Sequence, residues 1–143
     1  MTSLDPSLPL QAGLYALLTA DAELMALDGF DGVFDEAPEG AAGDYVVLGP
    51  RTSSTPDNVH GSHGRQSVIT LETWTRARST RPGSVIAARL VELLDHQQEA
   101  LDPLVDGHTV WALRWEQHQS VIDPERGLRR RTDLFRISTA QEE

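Results

Sequence analysis

Residues 110–137, VWALRWEQHQSVIDPERGLRRRTDLFRI, decide the fold of this chain. The first half alternates polar side chains with large apolar ones, which are Trp111, Leu113, Trp115 and Val121. A period of two predicts a strand that buries one face. Residues 123–127, DPERG, supply the proline and glycine that favour a tight turn, and the return run places Phe135 and Ile137 on one parity. The stretch therefore predicts a long C-terminal β-hairpin whose apolar face must be covered.

Two upstream segments have the helical periodicity needed to cover that face. The first main helix begins near residue 8, and the apolar positions on its face are Leu10, Leu14, Leu17 and Leu18. The second spans residues 85–96 with Ser84 as its candidate cap, and its apolar positions are Ile86, Leu90, Leu93 and Leu94. Asp21 is placed to cap a short extra helix after the first.

Strand-forming residues lie between these helices. The run Tyr45–Leu48 predicts a buried strand, and residues 33–34 predict a short one before it. Residues 66–76 predict a further strand, on which Ile69 and Leu71 share one face while Val68 and Trp74 share the other. The order of elements predicts an α+β fold, with a mainly antiparallel sheet and two main helices packed on one face.

The remaining segments complete a single domain over residues 1–143. Residues 49–65 are rich in Ser, Thr, Gly and Pro, so the sequence predicts a long flexible loop there. The residues after Thr139 are few and acidic, and we predict that they form a short disordered tail.

Composition excludes several classes of protein. The net charge of -10 argues against a general nucleic-acid binder, which needs cations to neutralise phosphates. The absence of cysteine excludes disulfides and thiolate metal sites. No apolar run approaches the ~20 residues that span a bilayer, so we predict no membrane association. All cations are arginines, and none precedes Arg51, so the N-terminal part is acidic throughout.

No pattern of residues points to catalysis or to a cofactor. The sequence has no nucleophile elbow and no phosphate-binding or dinucleotide-binding glycine motif. His60 and His63 are close in sequence, but they lack a third ligand, and the alternative to a metal site is a solvated loop. We therefore predict no enzyme activity, no metal and no cofactor.

Arginine and tryptophan positions point instead to contacts with other proteins. Trp111 and Trp115 are simplest as core residues, but Trp74 lies on the other face of its strand. That face meets either a second layer of the same chain or a partner protein. A partner protein fits because interfaces favour aromatic residues and arginine. The candidate interface residues are Trp74, Arg76, Arg78, Arg129, Arg130, Arg131, His60 and His63.

Several stretches resemble, in order and spacing, the tail-completion or tail-terminator proteins of long-tailed bacteriophages. Residues 10–21, LQAGLYALLTAD, are similar to the opening helix of that family, and residues 44–49, DYVVLG, to its first core strand. Residues 70–76, TLETWTR, resemble its central strand, and a helix like that at 85–94 follows. The closing ribbon has an aspartate in its turn, as in the family. The same pattern occurs in defective prophages and gene transfer agents.

The resemblance implies a structural virion protein of the tail and neck, assembled in the host bacterial cytoplasm. It implies a homo-hexameric ring that caps the finished tail tube, stops its polymerisation and joins the tail to the head connector or head-closure protein. DNA would pass through the ring without being read, and acidic walls would repel its phosphates. The family has no catalytic residues. The alternatives are another phage neck component, such as a head-closure or adaptor protein, and a small cytosolic ligand-binding domain or enzyme.

Overall fold

The computed structural model describes residues 3–57, 63–76, 78–123 and 127–142. Its helices are α1 (Ser7–Thr19), α2 (Ala22–Met25), α3 (Arg81–Leu94) and α4 (Gln98–Leu101), followed by a 3-10 turn at Asp102–Leu104. Its strands are β1 (Phe30–Phe34), β2 (Asp44–Pro56), β3 (Gly64–Thr75), β4 (His108–Asp123) and β5 (Leu128–Gln141). No helix in these ranges is long and apolar enough to cross a membrane.

All five strands form one sheet in the order β1-β2-β3-β5-β4. The β1–β2 pair is parallel and the other three pairs are antiparallel. The C-terminal hairpin therefore enters the sheet through β5, while β1 and β4 form its two edges. These features confirm the predicted α+β class, the mainly antiparallel sheet and the long C-terminal hairpin.

The core lies between the helices and one face of the sheet, which we call the helix face. Its central side chains are Leu10, Leu14 and Leu18 from α1, Ile86, Leu90 and Leu94 from α3, and Val46, Leu48, Ile69, Leu71, Leu113, Phe135 and Ile137 from the strands. Leu17 and Leu93 are partly buried against them. The predicted stripes on both main helices are thus confirmed, because each stripe packs against the apolar parity of the sheet.

One predicted helix cap is confirmed and the other is wrong. The Asp21 carboxylate accepts a hydrogen bond from the Leu24 backbone N–H at 2.8 Å and caps α2. By contrast, α3 does not begin after Ser84. It begins at Arg81 with a proline in its first turn, where the missing N–H of proline costs nothing.

The prediction of a flexible loop at residues 49–65 is wrong for most of that segment. Residues 51–56 continue β2, and residues 64–65 already belong to β3. The register shifts between Leu48 and Thr52, and the Thr70 hydroxyl holds this bulge by bonds of 3.2 Å to the N–H and C=O of Arg51. The strand was missed because its side chains are polar and show no apolar alternation. Residues 58–62 lie outside the described ranges.

The simple alternation along β4 is also wrong in part. Leu113 and Trp115 do face the core, but the register shifts at residues 110–112 and again at 115–117. The first shift leaves Trp111 half-buried, and the second turns Val121 away from the helix face, where it is 49% exposed. Bulges insert one residue and so invert the parity of all that follows.

The C-terminal residues are not a disordered tail as far as they are described. β5 runs to Gln141, and the backbone N–H of Glu142 donates to the Gly107 carbonyl at 2.9 Å. Backbone pairing with the start of β4 orders these residues despite their polar composition.

Candidate assembly surface

The face of the sheet opposite the helices, which we call the open face, carries a continuous row of side chains. Register positions connect Gly32, Tyr45, Trp74, Arg130 and Val121, so the row of side chains spans four strands and stops at the glycine of β1. The Tyr45 and Trp74 rings stack with centroids 6.4 Å apart, and the Arg130 guanidinium lies 5.8 Å from the Trp74 ring. Trp74 is therefore confirmed on the face that points away from the core.

Several weak interactions give this row a fixed shape. Phe34 of β1 meets the Tyr45 ring edge to face at 6.3 Å. The Arg130 guanidinium also lies 3.7 Å from the Glu72 carboxylate. Aromatic pairs and cation–π contacts contribute roughly 0.5–2 kcal/mol each, and partly exposed ion pairs contribute less. The open face thus carries an aromatic cluster and ends in an exposed valine at the β4 edge.

The three consecutive arginines do not form one continuous patch. Arg129 and Arg131 point to the helix face, whereas Arg130 points to the open face, as alternation in a strand requires. Arg129 donates to the Arg78 carbonyl, and Arg131 forms an ion pair at 3.1 Å with Asp133, a fully buried carboxylate. Each of the three guanidinium groups therefore has a partner within its own chain.

Arg76 and Arg78 follow β3 at the same end of the sheet. The backbone N–H of Arg76 donates to Asp44 Oδ1 at 3.2 Å, and its guanidinium donates to the Ala41 carbonyl. Burial raises the pKa of the Asp44 carboxyl despite this hydrogen bond, and the nearby charge of Asp31 raises it further. Arg78 is exposed.

The structure divides the predicted interface residues into two groups. Trp74, Arg76 and Arg78 lie close to the arginine triplet because Thr75 pairs with Arg129. His63 is exposed at the other end of β3, about 37 Å from Trp74 if each residue of the strand adds ~3.4 Å. His60 lies outside the described ranges. Where the chain is described, no three His, Asp or Glu side chains form a group that could hold a metal ion.

Four of the exposed apolar side chains lie near the two edges of the sheet, and their exposure was not predicted from the sequence. Leu8 is 74% exposed and Tyr15 is 48% exposed, and both lie on α1. Val121 and Ile122 are 49% and 56% exposed on β4. One signal was available, because residues 117–122, QHQSVI, contain no Asp, Glu, Lys or Arg, which is unusual for a strand left at a sheet edge.

Leu8 and Tyr15 border an open groove of about 470 Å³ beside the β1 edge. The rest of the groove is formed by Gln11, Ala12, Val33, Phe34, Asp35 and Leu48. Its lining is mostly apolar with a single carboxylate, which fits apolar side chains of another protein better than it fits a polar small molecule. The groove and the Val121–Ile122 pair lie at opposite edges of the sheet.

Comparisons with known proteins gave a family match and a similar solved structure. The family model of tail completion protein gp17 matches residues 12–140. A chain in a solved structure of the virion of a native gene transfer agent particle is 26% identical, with a TM-score of 0.79. That alignment covers 96% of this chain and 99% of the other. The comparison with curated proteins gave no match.

The family match and the structural similarity both extend over nearly the whole described fold, including the two edges of the sheet. The chain therefore belongs to the family of tail completion protein gp17 and is a structural protein of a phage-like virion.

Proposed function

We propose that this protein forms a closed ring of six copies that caps the tail tube, ends its polymerisation and joins the tail to the head connector or head-closure protein. The observation that carries the proposal is that the sheet ends in two unlike edges, β1 and β4, each with exposed apolar side chains beside it. Unlike, complementary edges favour head-to-tail contacts between copies, and such contacts close into rings when the rotation fits.

The charge distribution supports the same role. No positive side chain precedes Arg51, whereas arginines cluster where β3 ends and β5 begins. Regions of opposite charge on one molecule favour association of different sides of identical copies. The net charge of -10 also disfavours binding of DNA that passes through the ring.

The direct experiment measures the mass of the purified protein by native mass spectrometry, alone and after mixing with the tail-tube protein. We expect a ring of six copies in one of the two samples. Tails assembled without this protein are expected to be over-long and unjoined in electron micrographs. Tails of normal length that still join heads would contradict the proposal, and a protein that binds only the head side would favour a head-closure role instead.

A further inference from the structure

We propose that the exposed half of β4 in one copy pairs, antiparallel, with the β1 edge of the next copy, so that the sheet continues around the ring. This inference rests on the proposed ring and names the surfaces that close it. The occupant of each edge is thus a second copy of this chain.

The first argument is that the β4 edge is covered along one half only. Near its start, the Val110 N–H donates to Asp102 Oδ1 at 2.8 Å, and the Trp115 N–H donates to Asp95 Oδ1 at 2.9 Å. The Leu113 carbonyl accepts from the His96 N–H at 2.8 Å. Among the described residues, no such bond reaches the outer side of residues 117–122.

The second argument is that the two edges lie at the same level of the sheet. Register positions run from Phe34 through Val47, Glu72 and Thr132 to Gln119. In the same way they run from Gly32 to Val121, four strands away. The five residues of β1 therefore stand level with the uncovered residues of β4. Because β4 is antiparallel to β1, a simple rotation about a ring axis would bring them together as an antiparallel pair.

The third argument is that the side chains match on both faces. Ile122 pairs with Arg129 and therefore projects to the helix face, where it would stand level with Asp31 of the next copy. The groove beside Val33 and Asp35 would stand level with Ser120 and His118. Val121 projects to the open face and would extend the aromatic row beside Phe34. Burying these two apolar side chains removes them from water and so favours association.

The fourth argument is charge. Arg78 and Arg81 are exposed near Ile122, because Arg129 donates to the Arg78 carbonyl and Thr80 lines the same cavity as Ile122. Asp35 lines the groove at β1, and Asp31 and Glu36 are exposed beside it. Such complementary charges set the orientation of two copies more than the strength of their contact.

The strand count and the strand spacing give the width of the closed sheet. Six copies of five strands, spaced about 4.8 Å apart, give a backbone ring about 46 Å across. The helices would lie outside this ring and the open face inside it.

Disulfide trapping tests the pairing, since the natural chain has no cysteine. In the double variant Asp35→Cys/His118→Cys, both thiols lie on the helix face. In the proposed strand pair they stand opposite each other, one residue along the strands from the pair Phe34 and Gln119. Within one copy these positions are about 19 Å apart, too far for a disulfide, so any bond must join two copies. We expect a ladder of crosslinked species up to the ring size on non-reducing gels, with tail-tube protein added if the ring needs it.

The controls separate this pairing from other contacts. Each single cysteine variant should stay uncrosslinked, because a head-to-tail contact never brings two identical positions together. The pair Glu99→Cys/His118→Cys, with Glu99 exposed on α4, should also give no ladder. A ring seen by native mass spectrometry without a ladder in the Asp35→Cys/His118→Cys variant would overturn the pairing and leave the proposed function standing. Absence of any ring would count against the proposed function itself.

A second measurement covers the case in which the cysteine variant misfolds. Val121→Asp and Ile122→Asp should raise the concentration for half-assembly at least tenfold, whereas Leu104→Asp, at a side chain 41% exposed elsewhere, should not. Hydrogen exchange should show protection of residues 117–122 when the ring forms. Protection that appears only when tail-tube protein joins a preformed ring would assign the edge to that protein and overturn the inference.

Discussion

The indole Nε1–H of Trp115 donates a hydrogen bond of 3.0 Å to Oδ1 of Asp133, and it links the edge strand β4 to a fully buried carboxylate. Arg131 supplies the opposite charge, with Nε 3.1 Å from Oδ2 of Asp133 and a second nitrogen 3.2 Å from Oδ1. Three donors thus satisfy one buried acid, as a charge in a protein interior requires.

This cluster predicts a large loss of stability for Asp133→Ala. The variant leaves Arg131, whose side chain is only 17% exposed, without its counter-charge, so the free energy of unfolding should fall by about 3–5 kcal/mol. Trp115→Phe removes one donor and keeps most of the ring, and it should cost only about 1–2 kcal/mol. Urea denaturation of both variants provides the measurement. Equal losses would show that the ion pair contributes little.

A second prediction concerns the acid sensitivity of the α2–α3 contact. Arg89 of α3 donates to both carboxylate oxygens of Asp21 at 2.8 and 2.9 Å, and these bonds hold the pKa of Asp21 below its usual value of 3.8. A lowered pKa means that the folded state prefers the ionised acid. The resulting stability is fully present above the usual pKa and is lost as the pH falls toward the lowered one.

Two substitutions at Asp21 separate its charge from its capping role. Asp21→Asn keeps an oxygen that accepts from Leu24 N–H but removes the charge, so its stability should depend less on pH between about 5 and 3 than that of the natural protein. Asp21→Ala removes both and should be about 1 kcal/mol less stable than Asp21→Asn at neutral pH. Thermal melts across this range give the comparison. A steep acid transition retained by Asp21→Asn would assign the sensitivity to other groups.

The helices and the inner strands could be predicted because their signals are local. The stripe Leu10, Leu14 and Leu18 and the run Tyr45–Leu48 follow from periodicity and β-propensity, and all seven residues are buried. The Asp21 cap follows from residue type and position alone. Leu10, Leu14, Leu18, Val46 and Leu48 meet the core, so their local pattern and tertiary burial agree.

The bulges and the polar end of β2 could not be predicted in the same way. Nothing in the residues around Trp115 marks the shift that turns Val121 to the open face, since its cause is pairing with β5. The polar run from Thr52 to Thr55 is ordered by its neighbour β3, where Arg65 donates to the hydroxyl and the carbonyl of Ser54 at 3.0 Å. Partners distant in sequence decide both features.

The candidate assembly surface could also be predicted only in part. Trp74 was assigned to the correct face because alternation along β3 is unbroken. From the sequence, all three arginines of the triplet are interface candidates, although alternation alone places Arg130 on the face opposite to Arg129 and Arg131. The ion pair between Arg131 and buried Asp133 could not be inferred. Two side chains on the same face of one strand can be either buried or exposed, and the sequence does not distinguish the two cases.

A third prediction follows from the separation of the triplet. Arg131→Glu places a second negative charge against buried Asp133 and should abolish cooperative folding or lower the free energy of unfolding by several kcal/mol. Arg130→Gln loses only a partly exposed ion pair and a contact with Trp74, so it should cost about 0.5–1 kcal/mol. Circular dichroism melts of the two variants give the ranking. Equal stability of both would contradict the inward orientation of Arg131.

The last prediction concerns Gly13, which faces the end of the 3-10 turn from α1. A β-carbon built there would lie 2.9 Å from Val105 Cγ2 and 3.0 Å from the Leu104 carbonyl oxygen. Alanine normally stabilises a helix by about 1 kcal/mol over glycine, but here the backbone oxygen leaves no room for the methyl group. Gly13→Ala should therefore destabilise the protein by about 1–3 kcal/mol. Ala16→Gly, at an exposed position on the same helix, is the matched control and should cost about 1 kcal/mol through propensity alone. Stabilisation by Gly13→Ala in urea denaturation would show that α1 can shift away from the turn without loss, and that this contact does not fix its position on the sheet.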